Sequence, residues 1–252
     1  METKMEFYLK KVTEILEKIE KESCKSITQA AELMSEAIMS DKLIHVIGTG
    51  GHSNIGAMEL FWRAGGLVPI NALLDPGIDL AHGAKHSNIM ERTLGYGKSV
   101  LDSYDLKEGE ILIIVNAYGI NTMTIEVALE SEKRGLKTVG VGSTTFASFV
   151  PKNHPARHPS GKNLHEIVDI FVDNHMPLGD AVVEFDNLRQ KVAPVSTLCN
   201  SFTLNLMVIK TVEKVLSKGG TPPVWMSGNL PGGDEANRDF EEKYAARIRH
   251  LK

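Results

Sequence analysis

The sequence predicts an α/β protein: a three-layer αβα sandwich built on a five-stranded, mostly parallel sheet, with two leading helices. Three observations carry that expectation. Short apolar, β-branched segments alternate with amphipathic helical patterns along most of the chain. The strongest of them, EILIIVNA (110–117), is a continuous apolar run bounded by Gly109 and Gly119, as expected of a strand buried on both faces. Two helical patterns also precede the first strand.

Residues 5–20 set Phe7, Leu9, Val12, Leu16 and Ile19 at near-helical spacing among Lys and Glu. Residues 26–39 repeat the pattern with Ile27, Ala30, Leu33, Met34 and Ile38. LIHVIG (43–48) reads as the first strand, running into a Gly-rich turn and the helical pattern IGAMELFWRA. LVPINALL (67–74) is the second, followed by a polar loop and a helix-like stretch over Met90–Tyr104. After 110–117, Thr122–Arg134 forms a helix closed by Gly135, and KTVGVGS (137–143) and DIFVDN (169–174) complete the five strands. A long helix then lines up Leu198, Phe202, Leu206, Ile209, Val212 and Leu216 on one face and ends at Gly219–Gly220. Two Pro-containing segments, 146–163 and 221–238, fit no regular element. One domain over 1–252 is expected, with helices in 1–40, the core in 41–218 and a terminal loop and helix in 219–252.

Composition narrows the function. The chain of 252 residues is 42% hydrophobic and 24% charged, enough apolar material for a core without a metal or disulfide staple. Its net charge is −4 with no long basic run, which speaks against a nucleic-acid partner. Any anionic ligand must be held by local donors, because the global field does not attract it. Cys24 and Cys199 form no CxxC pair. The amino-terminal residues alternate charge and apolar character, and no stretch reaches the roughly 18–20 apolar residues a membrane helix needs. A cytoplasmic protein is expected, with no membrane partner, metal or cofactor.

Ligands of open α/β sheets bind beyond the carboxyl ends of the strands. Three turns are candidates. In GTGGHSN (48–54), Gly48, Gly50 and Gly51 allow close backbone approach, and His52, Ser53 and Asn54 add polar side chains; this is a phosphate cradle or a sterically required turn. A dinucleotide site fits poorly, because Ser53 stands where the third glycine belongs and the first acid of the next strand, Asp75, comes late. In NAYGINT (116–122), Asn116, Tyr118, Gly119, Asn121 and Thr122 offer polar contacts, though Asn121 or Thr122 also suits a helix cap. In APVSTLCN (193–200), Ser196 and Thr197 open the long helix, as caps or as ligand donors.

This order of two helices, a Gly-x-Gly turn with Ser, a loop with Gly119 and Ser-Thr opening the last long helix resembles the SIS domain of phosphosugar isomerases and sugar-sensing regulators. The resemblance covers almost the whole chain and implies a flavodoxin-like parallel sheet. Gly48–Gly50, Glu59–Gly66 (ELFWRAGG) and His158–Lys162 (HPSGK) are similar to a branch whose sequences often carry the label phosphoheptose isomerase. The family pattern Ser-x-Ser-Gly-x-Ser/Thr is replaced by Asn116, Tyr118, Gly119 and Asn121, which favours either an altered phosphate grip or a less anionic ligand. Heptose-phosphate isomerases carry a His and a Glu on the helix after the first loop and a His on the last helix; here Glu59 stands at the first position, Arg63 where the second carboxylate falls, and the last helix has no His.

What the resemblance implies is a phosphorylated sugar as ligand and aldose–ketose isomerisation as the reaction, with a non-catalytic sugar-phosphate sensor or partner-binding module as the alternative. The reaction needs a base to move a proton between carbons. Glu59 is one candidate, or else a surface glutamate paired with Arg63. His82 and Asp79, in DPGIDLAHGAK (75–85), resemble a His-Gly segment and a Glu of arabinose-phosphate isomerases. Self-association is expected too, since the two leading helices add apolar faces beyond what the sheet needs for cover.

Overall fold

The computed structural model describes residues 2–252. Two helices lead, α1 (Lys4–Glu22) and α2 (Cys24–Met39), and Thr3 caps the first through a reciprocal bond pair with Glu6. Then come β1 (Ile44–Gly48), α3 (Asn54–Leu60), β2 (Ile70–Ala72), α4 (Ala84–Met90), α5 (Tyr96–Asp102), β3 (Ile111–Val115), α6 (Thr122–Lys133) and β4 (Lys137–Gly142). The chain continues with α7 (Thr144–Phe149), β5 (Ile170–Asp173), β6 (Ala181–Phe185), β7 (Leu188–Pro194), α8 (Ser196–Ser217) and α9 (Gly233–Tyr244).

The five expected strands form one parallel sheet in the order β2-β1-β3-β4-β5. That is the flavodoxin-like order, which reverses between β1 and β3. Side-chain alternation explains why these strands are apolar throughout: Ile111, Ile113 and Val115 face one core, and Leu112 and Ile114 the other. The first core joins the sheet to α2, α3 and α8, with α1 packed against its edge; the second joins it to α5 and α6. Each branched side chain fully buried there contributes roughly 1.5–3 kcal/mol.

Four expectations need correction. The helix expected over Met90–Tyr104 is only α5, and a separate α4 ends at Met90, because residues 91–95 turn and Gly95 takes φ 85 in the left-handed region. The core stripe of α8 is Cys199, Leu204, Met207, Val208 and Val215, with Thr203 and Thr211 between them. Leu198, Ile209 and Leu216, read from spacing as part of one apolar face, are exposed. Apolar spacing alone admitted both faces, and the small threonines suit the close packing of α8 on α2. Third, β6 and β7 form an antiparallel hairpin around Asp186–Asn187 that the sequence reading passed over. Most of its side chains are exposed, so it carries little apolar signature.

The segment 146–163 is the fourth case. It contains most of α7 and folds around Arg157, which is 7% exposed. Its guanidinium donates to the carbonyls of Ala147 and Val150 and to Asn163 Oδ1 at 2.7 Å. The other irregular segment, 221–238, runs without helix or strand to Ser227 and turns over residues 228–232 into α9, and Leu67 bridges Val224 beside the sheet.

At the amino ends of the strands, away from the three candidate turns, a buried polar chain joins β1 to its neighbours. Asn71 Nδ2 donates to His45 Nδ1 at 3.0 Å, which leaves His45 Nε2 to donate to Glu110 Oε2 at 2.8 Å. The Lys107 amide donates to the same oxygen at 2.9 Å. Burial opposes ionisation of Glu110, but these bonds outweigh it and hold the carboxyl below its ordinary value of 4.5. A depressed carboxylate adds stability that is complete above the ordinary value and disappears as pH falls through the lower folded one. Urea melts should therefore show Glu110→Ala less stable by about 3 kcal/mol at neutral pH. Glu110→Gln should flatten the loss of stability below about pH 4.

Candidate active site

All three candidate turns meet at the carboxyl ends of the strands, around a cavity of about 360 Å³. The first turn contributes Gly50, Gly51, His52 and Ser53; the second, Asn116, Tyr118 and Asn121; the third, Ser196 and Thr197. Nine residues chosen from sequence thus share one cavity.

The other four ligand candidates stand behind its wall. A Cβ on Gly48 would lie 2.2 Å from Ser53 O, so the strand leaves β1 without room for a side chain. Asn54 and Thr122 are 1% and 3% exposed and belong to α3 and α6. Gly119 takes φ 63 to complete the second turn, and its amide donates to Asn116 Oδ1 at 2.9 Å.

Hydrogen bonds fix the turns to one another. Asn116 Nδ2 donates to Thr49 O at 3.1 Å, and its Oδ1 also accepts from Tyr118 N at 3.0 Å. Thr49 and Thr124 share a hydroxyl bond of 2.7 Å, joining the first turn to α6. The Tyr118 ring stacks on Phe146, 4.1 Å between centroids. The opening of α8 is capped from the hairpin side: Asp180 accepts from Val195 N, Ser196 N and Ser196 Oγ at 2.9, 2.7 and 2.8 Å. Ser196 is therefore the recipient of a cap and Asp180 supplies it, in place of the serine cap that the sequence suggested.

The first turn is left differently. Among the described residues, the amides of Gly50, Gly51, His52 and Ser53 find no acceptor in the chain. Four consecutive free amides on a cavity wall suit an anion.

Two cavity residues carry chemistry that sequence reasoning missed. Glu91 follows α4 directly, at the start of the stretch expected to be helical, and its Oε2 would lie 2.8 Å from a Cβ at Gly50. Burial raises the Glu91 carboxyl above its ordinary value, with Arg92 and a bond from Asn121 opposing in part. Asp180 was invisible because the hairpin that carries it was. A break at Thr93–Leu94–Gly95 was the one available signal for Glu91.

The residues proposed from sequence as catalytic stand elsewhere in this chain. Glu59 lies on the outer side of α3, where its Oε1 accepts from Asn205 Nδ2 at 3.2 Å and faces Arg63 at 3.5 Å. Asp79 and His82 line a neighbouring cavity of about 280 Å³ with Asp75, Tyr104, Arg249 and His250. Asp79 accepts from Ala81 N at 2.8 Å, capping the 3-10 turn Leu80–His82. Of that loop, Leu80 and Ala84 reach the main cavity. Among the described residues, no group of three or more His, Cys, Asp or Glu is placed to hold a metal ion, and no helix is long and apolar enough to cross a membrane.

Comparison with known proteins places this geometry. The family model of the SIS domain matches residues 7–143, which span α1 through β4. The chain belongs to the SIS-domain family. A UPF0309 protein of Caldanaerobacter subterraneus is 38% identical over 250 residues, covering 98% of this chain and all of that relative. A UPF0309 protein of Thermoanaerobacter pseudethanolicus is 38% identical over 248 residues, 97% of this chain and 98% of its own. Among solved structures, a phosphoheptose isomerase from Francisella tularensis superposes on this SIS protein with a TM-score of 0.54. It shares 15% identity and covers 83% of this chain and 97% of its own. One from Neisseria gonorrhoeae gives 0.51 at 14% identity, over 83% and 95%. At such identities the likeness is one of fold.

The raised Glu91 carboxyl gives a pH prediction. Its native form binds a proton more tightly than the unfolded chain does, so its contribution is most favourable below the ordinary value of 4.5 and is lost as pH rises through the higher folded value. Glu91→Gln should therefore raise the melting temperature at pH 7, by about 2–4 °C for each kcal/mol relieved. The advantage should shrink to nothing as pH is lowered toward 4, in parallel calorimetric scans.

Proposed function

We propose that this SIS protein binds a phosphorylated sugar in the three-turn cavity and catalyses its aldose–ketose isomerisation. The observation that carries the reading is the run of free amides at Gly50–Ser53, beside the hydroxyls of Ser53 and Thr197, at the strand ends where ligands of this sheet class bind. Membership of the SIS family and the fold shared with two phosphoheptose isomerases support it. Amides and hydroxyls stand here in place of arginine and lysine, neither of which lines the cavity among the described residues.

Isomerisation moves a proton between adjacent carbons through an enediol, so a base must stand within reach of the sugar. Glu91 meets that demand. It lines the cavity, lies against the turn assigned to the phosphate, and burial raises its proton affinity above the ordinary carboxylate value. His52 is a second titratable group on the same wall. Glu59 fills the role only if a second copy of the chain brings its cavity to the outer side of α3.

We also read the exposed Leu198, Ile209 and Leu216 of α8 as a self-association surface. Light scattering at micromolar concentration should report at least a dimer, and a monomer would remove that part of the reading.

Two further measurements test the site. Thermal melts against sugar phosphates should shift upward by the equivalent of about 2.7 kcal/mol at a hundred times the dissociation constant, while unphosphorylated sugars shift little. Proton NMR of the substrate pool in deuterated water should show exchange at C2 that Glu91→Gln abolishes and Glu59→Gln leaves intact. Exchange lost only in Glu59→Gln would return the base to that residue. Binding without exchange in the wild type would make the protein a sensor.

A further inference from the structure

None of the residues of segment 146–163 lines the three-turn cavity. What the segment builds is a second cavity beside it, of about 430 Å³, within the size range of small-molecule sites. The lining is mostly apolar and comes from stretches 118–121, 146–156 and 178–179, together with Glu91 and Arg92. Ile120, Val150 and Ala156 are buried in its wall, whereas Phe149 and Leu178 are 66% and 40% exposed. Large apolar side chains left open on a concave surface mark a place for a guest.

The wall is held before any guest arrives. Arg157 ties Ala147 O, Val150 O and Asn163 Oδ1 together. His158 N donates to Ile120 O at 3.1 Å, and Asn121 pairs with Arg157 in an isolated bridge, so the segment is fastened to the second turn. Preorganisation of this kind lowers the ordering cost of binding. Glu91, Tyr118 and Asn121 line both cavities and so stand between them, with Asn121 almost wholly buried. The two spaces are neighbours divided by side chains, and each has room for a guest of its own.

The lining also describes the guest. The stacked rings of Tyr118 and Phe146 both face the cavity's space, and an aromatic molecule gains from such rings beyond the area it buries. Glu91 and Arg92 carry opposite signs, so the lining favours neither an anion nor a cation. Neutral His154 accepts from the Ala156 amide through Nδ1 at 3.2 Å, which puts its proton on Nε2 and leaves one donor for an oxygen of the guest. A closed apolar cavity of about 150 Å³ already admits one six-membered ring, so the space here admits a fused pair. We propose that this apolar cavity is a second binding site, separate from the three-turn cavity, for a small neutral aromatic molecule of one or two rings bearing one hydrogen-bond acceptor. The site stands or falls independently of the phosphosugar reading, which concerns the other side of the partition.

Methyl NMR on the full chain tests this, with 2-naphthol and phenol as probes and cyclohexanol for comparison. The methyl signals of Ile120, Val150 and Leu178 should shift saturably with 2-naphthol, with a dissociation constant below about 1 mM. The Thr197 methyl, which belongs to the three-turn cavity alone, should stay in place. Cyclohexanol should bind about threefold more weakly than phenol, or weaker still. Replacing Phe149→Ala and Leu178→Ala together should weaken 2-naphthol by about tenfold. Both side chains are exposed, and a melting curve establishes that the variant is folded. Absence of a saturable shift at Ile120 and Val150, or a shift at Thr197 in their place, would overturn the inference. Affinity unchanged in the double variant, or cyclohexanol binding as tightly as phenol, would overturn it as well. So would light scattering in which 2-naphthol splits an oligomer, since that result gives the cavity to a second copy of the chain.

Discussion

Both ends of one buried amide hold the site together. Asn116, at the end of β3, binds the Thr49 carbonyl of the first turn through Nδ2 and the Tyr118 and Gly119 amides of its own turn through Oδ1. The sheet supplies the platform, since β1 and β3 are neighbours at the point where strand order reverses. Without the clasp, the two loops would be joined only through the Thr49–Thr124 hydroxyl bond and by packing. With it, Gly50–Ser53 can present amides that the chain itself leaves free, and Asn121 begins α6 at a fixed distance from them.

The same logic separates loops that build the cavity from loops that only border it. The turn between α4 and α5 brings in Glu91, because Gly95 ends any continuation of the first helix and Glu126 receives the Gly95 and Gly97 amides at 2.6 and 3.1 Å. The hairpin brings in Asp180, which is fastened to the start of α8 by three bonds. The loop 75–85 divides: Leu80 and Ala84 face the main cavity, while Asp79 and His82 face the neighbouring one.

Most of the fold was legible because its signals are periodic. The five strands and the leading helices stand where apolar runs and 3.6-residue patterns put them, and three Gly-, Asn- and Ser-containing turns marked the cavity's floor. What stayed hidden was set by tertiary contact. The face of α8 could not be chosen from spacing, because Thr203 and Thr211 are buried there while Leu198 and Ile209 are not. The hairpin has little to bury and so little pattern. Glu91 and Asp180 are ordinary acids in sequence, and only the fold turns them inward. Glu59 sat at a family position, yet helix α3 carries its carboxylate to the outer side.

Arg157 shows how narrow the choice at a single position can become. Three groups of one planar fork reach Ala147 O, Val150 O and Asn163 Oδ1 from different directions, beside the small apolar cluster of Ile120, Ala147 and Val150. A lysine would keep the charge but offers a single ammonium at the end of a flexible stem, which cannot span the three acceptors. In any attempt to recode this protein, that arginine has no conservative substitute, although it touches neither the cavity nor the sheet's central strands.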